Sequence, residues 1–282
     1  MKSFKEINTS EPNSLMIVDS LNLSFRYKHA NAVDFAEDYM RTVESFKKSY
    51  KCNKLIIAGD WGSSSYRKAI YPEYKANRKE KFESQTEEEA AEFAAFFAEV
   101  QGILNRYSTE GVYPVARFLG VEADDIAAYI VSKRKRFAIS QIWLISSDRD
   151  WNLLVDEGVS QFSYVTRKEF TVDNWSSHYD FDRDSYISIK CLMGDSGDNV
   201  PGVPLVGPKK AQQLVEEYGS TYDIISALPI SSKYKYIANL NTFGAEALML
   251  NYQLMDLVTF CEDAIGTENI KQLDKILEDY LE

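Results

Sequence analysis

Hydrophobic positions in the first half of the chain gather into short, unbroken runs that stop at acidic residues. Leu15-Met16-Ile17-Val18 runs into Asp19, and Leu55-Ile56-Ile57-Ala58-Gly59 runs into Asp60. Ile142-Trp143-Leu144-Ile145 is followed by Ser146-Ser147-Asp148. A less regular run, Val115 to Leu119, precedes Gly120-Val121-Glu122. Short apolar runs without alternation are the pattern of strands buried on both faces. Between them, apolar residues space out to helical intervals. Val33, Phe35, Ala36, Tyr39, Met40, Val43 and Phe46 predict a helix over 33–50. Phe93, Phe96, Phe97, Val100 and Leu104 predict another over 86–105, with Thr86 as its N-cap. A third is expected over 122–133. Beyond residue 180 the pattern turns mostly helical, over 183–193, 208–218 and 243–255, with a small polar helix over 266–282. Strands alternating with helices predict an α/β fold with a mostly parallel central sheet and helices on both faces. Ligands of such sheets bind beyond the carboxyl ends of the strands, so the acids that end the runs converge on one edge.

The candidates for that edge are Asp19, Asp60, Glu122, Asp124, Asp125, Asp148, Asp150, Asp195 and Asp198. One such acid is explained as readily by helix capping, but four strand ends together are not. So many carboxylates repel one another unless divalent cations hold them ionised. All-oxygen donors, with only two histidines in the chain, predict two Mg²⁺ ions, with Mn²⁺ able to substitute. Two such ions activate a water and orient a phosphodiester. On a regular helix Glu122 and Asp125 share a face and Asp124 does not; both aspartates remain candidates. Asp148-Arg149-Asp150 on a strand would point both acids the same way. In Gly194-Asp195-Ser196-Gly197-Asp198, two glycines allow a tight turn that aims two acids together.

Net charge changes this picture less than it first promises. At −11 the chain is an unpromising partner for phosphates. Yet Arg67, Lys68, Lys75, Arg78, Lys79 and Lys81 crowd into one stretch against only Glu73 and Glu80. Lys75 and Arg78, i and i+3 on one helical face beside Tyr74, suit phosphate contact and base stacking, with Arg67 and Lys79 nearby. The second basic run, Lys133 to Arg136, reads as a solvated face. The Gly/Pro-rich segment 199–211 opens a helix, so the backbone at Gly202 and Gly207, with Lys209 and Lys210, suits a duplex phosphate. No apolar run is long enough to span a membrane, and the polar N-terminus does not read as a signal peptide. Cys52, Cys191 and Cys261 read as free thiols of a reducing compartment.

Taken in order, LMIVDSLNLSFR (15–26), AGDWGSSSYRKAIYPEYKANR (58–78), GVEADDIAAYI (120–130), WLISSDRDWNLL (143–154) and GDSGDNVPGV (194–203) resemble the 5′-nuclease superfamily. The resemblance is nearest to the stand-alone bacteriophage flap endonucleases. It implies a PIN-like nuclease core over 15–182 after an N-terminal tail (1–14), and a helical arch over about 67–105. It also implies a C-terminal helix–three-turn–helix lobe over 183–282 with its hairpin at about 190–218. It assigns Asp19, Asp60, Glu122 and Asp124 to one metal and Asp148, Asp150 and Asp195 to a second, with Asp125 and Asp198 as ligands or outer partners. Lys75 and Arg78 would face the scissile phosphate. The implied activity is structure-specific hydrolysis of 5′-flap or 5′-ended DNA near junctions, during flap and primer removal in replication. The alternatives are a 5′–3′ nuclease of RNA–DNA hybrids and a non-catalytic junction-binding protein; the complete acid set speaks against the second. A monomer in the cytoplasm (the host's, for a viral protein) is expected, with replication proteins as further partners. Two residues depart from the family pattern. Arg149 replaces a small residue between two acids. Leu205 replaces the hairpin's first glycine, which puts the turn geometry, and a K⁺ held there, in question.

Overall fold

The computed structural model describes residues 13–282; the expected tail, up to residue 12, lies outside the described residues. In chain order the elements are β1 (Ser14–Asp19), α1 (Ser20–His29), α2 (Ala36–Ser49), β2 (Lys54–Ala58), α3 (Ser65–Ile70), α4 (Ala76–Glu83), α5 (Glu87–Glu110), β3 (Val115–Ala116) and α6 (Ala123–Ser132). They continue with β4 (Gln141–Ile145), β5 (Val159–Ser163), β6 (Lys168–Phe170), α7 (Tyr186–Met193), α8 (Pro208–Tyr218), α9 (Thr221–Ala227), α10 (Lys235–Met255), α11 (Leu257–Ile265) and α12 (Thr267–Leu281). The six strands form one sheet in the order β3-β2-β1-β4-β5-β6, parallel throughout except for the antiparallel edge strand β6.

Alternation along each buried strand divides the apolar residues between two layers. Leu15 and Ile17 of β1, Ile56 of β2 and Ile142 and Leu144 of β4 pack with α6, α11 and α12. Met16, Val18, Leu55 and Ile57 pack with α1, α2 and α5 on the opposite face. The unbroken apolar runs thus have their explanation: each face has its own helical cover. Val18 stands opposite Ile57 on one side and Ile145 on the other, so the three central strands end level.

Three expectations need correction. The run from Val115 to Leu119 contributes only the two-residue strand β3 at the sheet edge. Strand β5 was not legible, because Ser160, Gln161 and Ser163 interrupt its apolar pattern although all are buried. The expected lobe over 183–282 is divided. Helices α7 to α10 enclose a core of their own around Ile189, Leu192, Leu214 and Leu240. Helices α11 and α12 return to cover the sheet, with Leu257, Leu273 and Leu277 in the same cluster as Leu15 and Ile17. Helix α10 also starts earlier than 243 and breaks at Gly244, where φ is +78°.

Candidate metal centre and nucleic-acid interface

The level strand ends bring five of the nine carboxylates to one place. Asp19 closes β1, Asp60 lies two residues past β2, Asp148 three residues past β4, and Glu122 and Asp124 flank the start of α6. All five line a cavity of about 1070 Å³. Several are also tied to backbone there. Asp19 Oδ1 accepts from Asn22 N–H at 3.1 Å, which caps α1, and Asp60 Oδ1 accepts from Ala123 N–H at 2.9 Å. Capping and clustering therefore coexist.

The loop that carries Asp148 is held by groups the sequence did not advertise. Ser146 Oγ donates to Asp19 Oδ2 at 2.8 Å and accepts from Asp148 N–H at 3.1 Å. Asn22 Oδ1 accepts from Ser147 N–H at 2.8 Å. Buried Gln161 donates to the carbonyls of Ser146 and Asp148 at 2.9 and 2.7 Å. Trp151 Nε1 donates to Asp124 Oδ1 at 2.5 Å. No clear sequence signal marks Gln161, because Ser160 and Ser163 break the apolar pattern of its strand as well.

Electrostatics separates two kinds of acid. Glu122 is held below the usual carboxylate range despite its burial, because Lys75 and Arg67 stand beside it. Asp19 and Asp124 are pushed well above that range, first by burial and then by neighbouring aspartates: Asp60 for Asp19, and Asp148, Asp19 and Asp60 for Asp124. Burial also raises Asp60, and burial with the Asp150 charge pushes Asp148 up to about 6. The nearby cations are already engaged. Arg67 pairs with Asp125, Lys75 with Glu122, Arg78 with Asp198 and Lys190 with Asp150. Among the described residues no ion pair reaches Asp19, Asp60, Asp124 or Asp148, whose neighbouring cations do not offset burial, and their donors are all oxygen; this set fits divalent cations. Among the described residues no three of these groups already close up as a complete ligand set.

Over this cavity stand α3, α4 and α5 and the turn before α4, which bring Lys68, Lys75, Arg78, Phe82, Phe93 and Phe97 to its wall. Thr86 caps α5 in a reciprocal capping box with Glu89, as the sequence predicts. Lys75 is not on a helix with Arg78. It sits at φ +57°, just before α4, and its N–H donates to the Asp198 carbonyl at 2.9 Å. Its Nζ donates to Glu122 Oε1 at 2.7 Å and lies 3.7 Å from Asp198. Arg78 donates to Asp198 Oδ1 at 2.7 Å.

Two family models match successive parts of the chain. Residues 14–180 match the family model described as 5′-3′ exonuclease, N-terminal resolvase-like domain, and residues 181–276 that described as 5′-3′ exonuclease, C-terminal SAM fold. The chain belongs to the 5′-3′ exonuclease family. The flap endonuclease of Escherichia phage T5 is 42% identical to it over 280 residues, 99% of this chain and 95% of the relative. A solved structure of the T5 5′-exonuclease with bound zinc superposes with TM-score 0.90 at 41% identity, covering 95% of this chain and all of that one. The T5 flap endonuclease in a pseudo-enzyme–product complex with DNA and metal ions gives 0.87 at 41% identity, covering 95% and 98%.

For a 5′-3′ exonuclease, several expected roles change. Asp125 is fully buried and forms a two-pronged ion pair with Arg67, at 2.7 and 2.8 Å, while Arg67 itself is 2% exposed. Neither Asp125 as a metal ligand nor Arg67 as a DNA contact survives this: the pair is a strut that also holds the Leu254 carbonyl. Tyr74, expected to stack on a base, is 3% exposed; its hydroxyl lies 2.9 Å from carboxylate oxygens of both Glu122 and Asp198. Asp148 and Asp150 are not on a strand. Asp150 begins a 3-10 turn and is held by Lys190, which also reaches Asp195 at 3.7 Å. Asp195 Oδ1 is occupied by the N–H groups of Gly197 and Asp198 at 2.8 and 3.2 Å. Asp150, Asp195 and Asp198 thus border the cluster but do not line its cavity.

At the hairpin, Gly202 is required by packing: a Cβ there would come within 1.9 Å of the Met193 carbonyl. Gly207 and Lys209 are exposed at the start of α8, and Lys210 Nζ donates to the Leu205 carbonyl at 3.0 Å. Leu205 does not pack away. It adopts φ +68° and stays 57% exposed. Lys79 is exposed and lies 3.6 Å from Glu83.

Proposed function

We propose that this 5′-3′ exonuclease hydrolyses phosphodiesters in 5′-flap or 5′-ended DNA, near the junction of single and double strand, with two divalent ions that are Mg²⁺ in the first instance. The observation that carries the reading is the set Asp19, Asp60, Asp124 and Asp148, which no ion pair reaches among the described residues, facing a cavity walled by the cations and phenylalanines of α4 and α5. Asp19, Asp60, Glu122 and Asp124 would hold one ion, and Asp148 with Asp150 and Asp195 the other. Bound ions would supply an activated water and stabilise charge on the phosphoryl oxygens. The chain's own part is positional. Gln161, Ser146 and Asn22 fix the loop of Asp148, and Trp151 fixes Asp124. Lys75 and Arg78, which rest on Glu122 and Asp198, would be the cations that contact the scissile phosphate. Lys209 and the exposed backbone at Gly207 grip duplex phosphate. The work so performed is flap and primer removal in replication, by a monomer in the cytoplasm, or the host cytoplasm for a viral chain. Among the described residues no helix is long and apolar enough to cross a membrane.

The deciding experiment compares 5′-flap, nicked, single-stranded and RNA–DNA substrates with Mg²⁺ and with EDTA. Cleavage near the flap junction, in Mg²⁺ only and leaving a 5′-phosphate, is the expected result. Cleavage undiminished in EDTA, or confined to the hybrid, overturns it.

A further inference from the structure

Trp61 follows Asp60 directly, and it is an expensive residue to leave in water. It is 48% exposed, whereas Trp151 and Trp175 are buried. None of the apolar clusters includes it, so it contributes nothing to a core. It is nevertheless held still. Its N–H donates to the Val121 carbonyl at 3.3 Å, and its carbonyl accepts from Gly120 N–H at 2.7 Å. The Arg117 guanidinium lies 4.7 Å from the centre of the indole ring, and Arg117 Nη1 donates to Gln101 Oε1 on α5 at 2.5 Å. The indole is therefore pinned at its backbone and over one face, and it borders the carboxylate cavity.

A second, independent feature stands two residues on. Among the described residues the buried hydroxyl of Ser63 has no hydrogen-bond partner, although Ser63 borders the same cavity. A buried hydroxyl without a partner is costly, and a ligand oxygen arriving in the cavity would remove that cost. A rigid aromatic plane beside a hydroxyl that lacks an acceptor matches the two halves of a nucleotide, base and phosphate.

We propose that Trp61 is a stacking platform for one nucleobase of the cleaved strand, and that Ser63 donates to a phosphate oxygen next to that base. The proposal rests on the nuclease reading above and goes beyond it by naming where a base is held. The aspartate cluster repels an anion that approaches without metal, but a neutral base face meets no such barrier at Trp61. Arg117 beneath the ring makes a cation–π contact that keeps the plane in position. Because every base has a π face, the contact is indifferent to sequence, as a structure-specific enzyme requires. Trp61 is thus a positioning residue: it sets which nucleotide lies over the acids.

The test is affinity for 5′-flap DNA in EDTA, where no strand is cut, with a single abasic nucleotide stepped through the positions around the junction. Wild-type protein should lose affinity sharply at one position, by roughly 5- to 100-fold. Trp61→Ala should bind the intact flap as weakly as wild type binds that abasic flap, with no further loss there. Trp61→Phe should recover most of the affinity. The exposed tryptophan's fluorescence should be quenched by the intact flap and not by that abasic one. A Trp61→Ala abasic profile parallel to that of wild type overturns the proposal. So does unaltered flap affinity in a Trp61→Ala protein that melts normally. Should that variant not fold, a flat wild-type profile with no quenching overturns it instead. Wild-type protein that binds no flap at all, and cuts none in Mg²⁺, removes the nuclease reading and the platform with it.

Discussion

A carboxylate that faces other carboxylates in a buried site costs free energy to ionise, and Asp148 is the clearest case. With a pKa near 6 it is ionised at neutral pH against the opposition of burial and Asp150. Asp148→Asn should therefore do two opposite things. Cleavage should fall on the order of 1000-fold, because charge stabilisation by a bound ion supplies several kcal/mol to the transition state. The metal-free fold should become more stable by about 1–3 kcal/mol, since one unpaired charge is gone. Single-turnover cleavage and a melt in EDTA measure both, and a variant that cuts at the wild-type rate would displace Asp148 from the site. Asp125 makes the contrast. It is a more deeply buried carboxylate, but its partner is Arg67. Asp125→Ala strands a buried guanidinium and should cost about 3–5 kcal/mol of stability. Denaturant unfolding checks this; a loss of metal affinity with no loss of stability would return Asp125 to the ligand list. Lys75→Ala should lower the single-turnover rate roughly 100-fold, about 3 kcal/mol, with little change in flap affinity. An effect confined to affinity would make Lys75 a tether.

At the scale of elements, the hairpin between α7 and α8 shows how a local rule can be broken at tolerable cost. A branched residue in the left-handed region is strained, yet Leu205 occupies it, in a conformation that glycine adopts freely. Leu205→Gly should raise stability by roughly 0.5–1 kcal/mol, the relief of strain less the entropy glycine adds to the unfolded chain. Duplex affinity at fixed salt should not change, because the backbone geometry is already in place. A fall in the melting temperature would identify Leu205 as a packing residue. The same scale shows what could be read from the sequence. The three central strands, the helices over 86–105 and 208–218, and the convergence of acids at strand ends were all legible, because buried parallel strands and amphipathic helices write strong periodic signals. The partners of those acids were not. That Asp125 and not Asp124 is paired with Arg67 depends on where α3 lands beside α6, a tertiary fact. Strand β5 was hidden because Gln161 trades apolar patterning for hydrogen bonds to the Asp148 loop. Helices α11 and α12 read simply as helices; nothing in their own pattern says that they cover the sheet.

Across the whole molecule, a chain of net charge −11 is fitted to DNA by where its charges sit. The basic run at 133–136 does not serve as a DNA contact surface at its ends. Lys133 pairs with Glu262 at 3.0 Å, and Arg136 pairs with Glu278 and lies 3.9 Å from Asp274, so these cations fasten α11 and α12 to the core. The cations of the arch stand over the acids instead. The remaining surplus of negative charge lies partly in the aspartate cluster, where burial makes it felt by the fold as a whole. Asp148 is raised from about 3.8 in the unfolded chain to about 6 when folded, and Asp19, Asp60 and Asp124 are shifted in the same direction. Between those values the folded protein retains a proton that the unfolded chain has released, so stability falls as pH rises through the window. Above pH 6 the Asp148 contribution to that cost stands in full. A divalent cation that binds the ionised cluster reverses the sign, stabilising the fold by about 2.7 kcal/mol at a concentration 100 times its dissociation constant. Mg²⁺ or Mn²⁺ should therefore raise the melting temperature at pH 7.5 clearly more than at pH 5, where protons compete for the same oxygens. A sodium salt of equal ionic strength is the control, since screening alone would act on the repulsion without needing a divalent ion. In Asp148→Asn the increment from Mg²⁺ should shrink at pH 7.5 while the melting temperature in EDTA rises. Equal increments at the two pH values, or the same increment from sodium, would mean that the cluster is not where the metal binds.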